Sequence, residues 1–263
     1  MPRVLTWNVW GRNGPWEDRQ AALTKVLAAE APDIVCLQEV WIADDGTTLT
    51  DQLAGALGLH HVDADRHRRG STMGNAVLSR WPITSHETLW LPRRDGGLPY
   101  RTLLAAQIDA PSGPISVHCT HLDWQYDASA ARVVQAEAIA RYIGAHRGDT
   151  RKDYPAIVTG DLNAVPDADE VRLLTGRSAG PVPGLVFQDA WEVAGDGTPG
   201  VTWTRRNPYC AEAAWPERRL DYILVAWPRP RPLGNPVTCR IVGDDPVDGI
   251  QPSDHYAVVA DLV

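Results

Sequence analysis

Apolar positions along the chain follow two rhythms. Residues 3–9 set Val4, Thr6 and Asn8 against Leu5, Trp7 and Val9, which predicts a strand buried on both faces. Residues 15–31 place Leu23, Val26, Leu27 and Glu30 at helical spacing behind Pro15, with Pro32 as the stop. A second strand over 33–39 would lie parallel to the first after a right-handed crossover, bringing Asn8 and Glu39 to one sheet end. A helix over 48–57, closed by Gly58, precedes a block of short strands at 60–65, 75–79, 83–89, 100–108 and 115–121. An Ala-rich helix over 129–146, with Ser129 as its expected cap, leads to a strand over 154–160 and a short helix over 167–175. Residues 178–216, rich in Gly, Pro and Trp, predict irregular chain, and strands at 220–225, 237–242 and 255–262 complete the pattern. This order implies two mixed sheets face to face with helices outside.

Composition narrows the class. The 263 residues are 44% apolar, enough for one large α/β domain over residues 1–263. No stretch approaches the roughly 20 apolar residues of a membrane span, and the N-terminus enters a strand directly, so a cytoplasmic protein is expected. Cys36, Cys119, Cys210 and Cys239 are scattered, form no zinc pattern and are expected as free thiols. A net charge of −8 opposes long-range attraction to duplex nucleic acid, although paired arginines on loops (Arg66, Arg68, Arg69; Arg93, Arg94; Arg205, Arg206; Arg218, Arg219) could form a local anionic-substrate rim.

The candidate chemistry gathers at strand ends. Gly160-Asp161-Leu162-Asn163 follows the run Ala156, Ile157, Val158, with Gly160 free to turn the backbone. Asn8, Glu39 and His121 end other strands, and Asp221 and Asp254-His255 open two more. Each alone reads as a turn or a solvated strand end. Together they suit phosphoester cleavage, which needs charge neutralisation and an oriented water more than covalent chemistry. Magnesium or manganese, which prefer oxygen ligands, would be held by Glu39 with Asn8 and Asp254. Asp161 would orient or deprotonate the water, and Asn163 would donate to a phosphate oxygen. His255, oriented by Asp221, and His121 would face the phosphoryl group, while Asn75 could orient Glu39. Trp124, Trp203 and Trp215 are candidates for a substrate wall.

In order, Trp7-Asn8, Gln38-Glu39, residues 74–79, Thr120-His121-Leu122, Gly160-Asp161-Leu162-Asn163, Arg219-Leu220-Asp221-Tyr222-Ile223 and Ser253-Asp254-His255 resemble the endonuclease/exonuclease/phosphatase superfamily over nearly the whole chain. The resemblance implies an α/β fold, a four-layer α/β/β/α sandwich of the DNase I-like type. It also implies Glu39 as the principal metal ligand, with the Asp221/His255 pair at the phosphate. The expected activity is metal-dependent hydrolysis of a small-molecule or lipid phosphodiester or phosphomonoester. Nucleic-acid cleavage is the alternative in the same class, and a catalytically silent binding module the alternative outside it.

Overall fold

The computed structural model of the chain describes residues 1–65, 73–93 and 95–263, so Arg66, Arg68, Arg69 and Arg94 lie outside the described residues. In chain order the elements are β1 (Arg3–Asn8), α1 (Trp16–Glu30), β2 (Ile34–Trp41), α2 (Leu49–Leu57), β3 (His60–Asp63), β4 (Met73–Ser79), β5 (Ile83–Trp90), β6 (Thr102–Ala110) and β7 (Gly113–His121). They continue with α3 (Ser129–His146), β8 (Ile157–Asp161), α4 (Asp169–Leu174), β9 (Val186–Asp189), α5 (Ala190–Ala194), β10 (Asp221–Trp227), β11 (Pro236–Val242) and β12 (Ala257–Leu262). Two six-stranded mixed sheets result, ordered β11-β12-β1-β2-β4-β3 and β5-β6-β7-β8-β10-β9.

The two-residue alternation of each strand sorts its side chains into layers. Val4, Ile34, Cys36 and Val258 of the first sheet meet Val117, Cys119, Ile157, Ile223 and Val225 of the second in a shared core. The intervening residues face outward. Leu5, Trp7, Val35 and Leu37 pack under Leu23 and Leu27 of α1 and Leu49 and Leu53 of α2. Val158, Tyr222 and Leu224 pack under Ile139 and Ile143 of α3 and Val171 and Leu174 of α4. This is the four-layer α/β/β/α sandwich that the strand pattern and the resemblance imply.

Local chemistry marks some boundaries and tertiary contacts the others. In α2, Thr48 and Asp51 form a reciprocal capping box and Gly58 closes the helix at φ 68°. Ser129 does not cap α3: the N-cap is Ala128 without a side-chain bond, and the Ser129 hydroxyl donates to Glu170 Oε2 at 2.7 Å. The stretch expected to be irregular contains β9 and α5. Four residues are too few to show periodicity, and β9 exists because it pairs with β10, Leu224 opposite Asp189. β12 begins two residues later than expected, since the His255 carbonyl accepts Trp7 Nε1 (2.9 Å) and Tyr256 N donates to Thr202 O (2.8 Å) instead of entering the ladder. The four cysteines are buried and unpaired, and no helix among the described residues is long and apolar enough to cross a membrane.

The parallel pairing of β7 with β8 depends on Gly160. Its φ is +141°, and a Cβ there would stand 1.9 Å from the Thr120 carbonyl oxygen. Only glycine permits that approach, and the resulting register sets His121 beside Asp161, while β10 sets Asp221 opposite Asp161. Gly160→Ala should therefore lower unfolding free energy by about 2 kcal/mol or more. By contrast, Gly55→Ala in α2, where a Cβ meets nothing within 4 Å, should raise it by about 0.5–1 kcal/mol. Urea denaturation of both variants checks the pair, and equal effects would remove the role given to the close approach.

Candidate active site

Strand ends of both sheets converge at one edge of the shared core. From the first sheet comes Asn8, whose Nδ2 donates to Asp161 Oδ2 at 3.0 Å and approaches Glu39 Oε1 at 3.4 Å, while its Oδ1 accepts Trp10 N at 3.0 Å. The amide thus ties two carboxylates together, and its oxygen, which accepts Trp10 N, keeps a second lone pair. Glu39 sits where the β2–β4 register slips between Leu37 and Val40, with φ +58°. A bulge re-aims a side chain that regular pleating would send elsewhere, and a left-handed glutamate is strained backbone held by its surroundings. Here the Glu39 carbonyl accepts Gly11 N (3.1 Å) and the Gln38 carbonyl accepts Val9 N (3.0 Å).

From the second sheet come His121, Asp161 and Asp221. His121 Nε2 lies 3.4 Å from Asp161 Oδ2, and His255 Nε2 lies 3.8 Å from the same oxygen. His255 Nδ1 meets Asp221 Oδ2 at 2.9 Å, the carboxylate–imidazole pairing that fixes ring orientation. The Asp221 backbone is held by Thr202 Oγ1, which accepts from Leu220 N (3.0 Å) and Asp221 N (3.3 Å). Asn163, at φ +51°, closes a tight turn in which its N–H donates to Asp161 Oδ1 (2.8 Å), and its Nδ2 donates to Leu122 O (3.2 Å). Ser253 Oγ donates to Asn8 O at 2.7 Å and lies 3.3 Å from Asp254 Oδ1. Asn75 donates across the sheets to Thr102 O (2.9 Å) and Oγ1 (3.1 Å), a backbone pairing that occupies its amide hydrogens.

Burial without compensation sets the electrostatics. Burial raises the Asp161 pKa, with Asp221 adding to it and His255 and Asn8 opposing. Burial, with Glu39 and Asp161, pushes Asp254 up to about 7 against the pull of His255. Burial disfavours a charged His255, but Asp221, Asp161 and Asp254 outweigh it and hold the imidazolium well above its usual range. Burial, then Arg101 and His255, keep His121 neutral. Among the described residues, Asp161, Asp221 and His255 bring one ligand atom each within 4.8 Å of one another, a set able to hold a metal ion. In it Asp221 Oδ1 is buried without a partner. Glu39 and Asp254 stand outside that set and join the site through the mutual repulsion that raises Asp254. Crowded carboxylate oxygens of this kind fit a hard divalent cation.

Two positions escaped the sequence reading. Thr202 acts through a backbone tie and carries no spacing signal. The Arg19 guanidinium, 1% exposed, donates to the carbonyls of Val9, Gly11, Asn13 and Pro252, fastening the loop after β1 to the loop before β12. A buried arginine within a helix reads in sequence as an ordinary surface residue.

Two opposed sheets with acid, imidazole and amide groups at the shared strand ends define the nuclease and phosphoesterase class of sandwich. The sequence profile of the Endonuclease/Exonuclease/phosphatase family matches residues 5–255, and the chain belongs to that family. It is 29% identical over 194 residues to a putative neutral sphingomyelinase of Drosophila melanogaster, covering 65% of this chain and 41% of that protein. It is 25% identical over 262 residues to tyrosyl-DNA phosphodiesterase 2 of Xenopus laevis, covering 98% of this chain and 65% of that protein. The chain thus spans less than two thirds of either relative. The fold superposes on D. rerio TDP2 complexed with single strand DNA product, with a TM-score of 0.79 at 20% identity, covering 100% of this chain and 98% of that one.

The shifts carry a pH consequence for the metal-free protein. Above about pH 6.5 the native state holds protons on His255 and Asp254 that the unfolded chain has released, so stability falls as pH rises toward 8. Below that window the buried neutral His118 and His121 act the other way, since unfolding lets them take up protons. Thermal melts in chelator should show Tm falling from pH 6.5 to 8, and Asp254→Asn should flatten the fall; a Tm that rises over this window contradicts the assignment.

Proposed function

We propose that the chain hydrolyses a phosphoester with magnesium or manganese, acting on a compact small-molecule or lipid phosphodiester or phosphomonoester. The observation that carries this reading is the row His121–Asp161–Asp221 with His255 locked to Asp221 at 2.9 Å. Glu39 with Asn8 and Asp254 would hold the cation, and Asn8 Nδ2 also bridges Glu39 and Asp161. When bound, it would supply positive charge to the phosphoryl oxygens and the leaving oxygen.

The chain's own groups supply the remainder. Asp161, held by Asn8 and the Asn163 N–H, orients a water and takes its proton as the water oxygen bonds to phosphorus and the leaving P–O bond breaks. The His255 imidazolium, kept charged by Asp221, and the neutral His121 N–H donate to the phosphoryl oxygens as their charge grows. The remaining Asn163 amide hydrogen is available for the same purpose. Free buried thiols support a reducing compartment such as the cytoplasm.

Preference for a small or lipid substrate over duplex nucleic acid rests on the charge of −8 and on Trp124 and Trp215, 63% and 47% exposed on loops beside His121 and Asp221. Nucleic-acid cleavage is the second reading, supported by the likeness to tyrosyl-DNA phosphodiesterase 2.

Hydrolysis of aryl phosphodiesters and phosphomonoesters should require magnesium or manganese and stop with a chelator. Asp161→Asn and His255→Ala should each lower kcat by roughly a hundredfold or more, and Glu39→Gln should raise the metal concentration needed. Full turnover after exhaustive chelation would refute the metal dependence. Plasmid nicking at physiological salt, alongside negligible small-ester and sphingomyelin turnover, would favour the nuclease reading.

A further inference from the structure

Two loops at the catalytic end, β7–α3 and α5–β10, build a column of flat groups. Trp215 and Tyr126 stack with centroids 4.4 Å apart and planes within 8°. The Arg218 guanidinium lies 5.3 Å from the Tyr126 ring and 5.2 Å from the Trp203 ring. Arg218 stands three residues before Asp221; burial lowers its pKa from the usual arginine range, and Tyr126 and then Asp161, close enough to act on it, partly oppose that. Each neighbouring arginine has a carboxylate beside it, Arg219 at Asp189 (2.5 Å), Arg132 at Glu170 (2.5 Å) and Arg101 at Asp123 (3.9 Å), although Nε of Arg101 and of Arg219 is also buried without a hydrogen-bond partner. Arg218 has no ion pair among the described residues, and its Nε is buried without a partner.

This combination is chemically specific. Aromatic faces hold a guanidinium in place while using none of its five N–H donors, which point outward in the plane of the group. A buried donor left unmade costs free energy unless a ligand satisfies it. Arg218 also lines a cavity of about 510 Å³ together with Val165, Pro166, Trp191, Glu192 and Glu217. The cavity meets the column at Arg218, which lines it and lies within electrostatic reach of Asp161. Glu217, whose carboxylate accepts the Thr204 hydroxyl (2.5 Å), makes the cavity unattractive to a second anion.

We propose that Arg218, held by Tyr126 and Trp203 and backed by Trp215, binds an anionic oxygen of the substrate's phosphoryl group, and that the adjoining cavity receives its uncharged organic group. Arg218 is thus a binding residue for the phosphoester, and the wall of the cavity selects a compact, largely apolar substituent over a polyanionic one. The assignment rests on the phosphoester reading of the site.

Direct binding separates the two claims, because it needs no turnover. Titrating phenyl phosphate into the full chain by calorimetry, with and without magnesium, should show Arg218→Gln weakening binding by about 10- to 100-fold. Arg218→Lys should recover only part of the loss, since a point charge has neither the fork nor the flat face. Tyr126→Ala should weaken binding by about 3- to 10-fold when Arg218 is present and have almost no effect in the Arg218→Gln background. Circular dichroism melts identical to the parent would establish that these half-exposed substitutions leave the fold intact, and Arg218→Lys provides a milder variant if Arg218→Gln does not fold. Unchanged affinity in Arg218→Gln or Arg218→Lys, additive losses in the double variant, or no phenyl phosphate binding by the parent protein would each overturn the assignment. If binding depends on Arg218 but no phosphoester is hydrolysed, the catalytic reading fails while the binding role stands. If hydrolysis proceeds with unchanged KM in Arg218→Gln, the reverse holds.

Discussion

The hydrogen bond from Asn8 Nδ2 to Asp161 Oδ2 joins the two sheets at the point where their shared core opens to solvent. Deep in the molecule the sheets are held by apolar packing alone, Val4 and Cys36 against Val117 and Ile157. Toward the site the contact changes character. Gln38 Nε2 donates to Cys119 Sγ at 3.2 Å and Asn75 reaches Thr102, so a seam of polar groups replaces hydrocarbon where the sheets diverge. Apolar burial is insensitive to small shifts, whereas hydrogen bonds fix distance and direction. The seam therefore converts loose sheet-on-sheet packing into a defined spacing between Glu39 on one sheet and Asp161 on the other.

That spacing comes at an electrostatic cost. Four carboxylates, Glu39, Asp161, Asp221 and Asp254, gather with one charged imidazole to offset them, and the raised pKa of Asp254 expresses the imbalance. Strain is concentrated in the same place: Glu39 and Asn163 both adopt positive φ, and Gly160 meets Thr120 at a distance no side chain would allow. Stability spent on one edge of the sandwich is offset by three apolar clusters that need no polar compromise. A cation and a phosphoryl anion would relieve this imbalance together, and Arg218, unpaired between aromatic rings, would add the charge that the acidic centre lacks toward the organic end of a substrate.

Much of this was legible in the chain. Two-residue alternation, helix stops at Pro32 and Gly58 and the polar punctuation of strand ends determined the element order, the layer arrangement and the identity of the residues that meet: Asn8, Glu39, His121, Asp161, Asn163, Asp221, Asp254 and His255. These are local signals, and local sequence carries them because periodicity and turn chemistry act over a few residues. The tertiary structure alone decided which partner each residue takes. Asn8 faces carboxylates with its amide hydrogens while its oxygen accepts Trp10 N, Asn75 bonds Thr102 across the sheets, and Ser129 serves Glu170 instead of a helix end. The short β9 and the capless start of α3 likewise depend on neighbours distant in the chain. Hydrogen-bond partnership and burial are properties of pairs brought together by packing, and no single stretch of sequence contains both members of the pair.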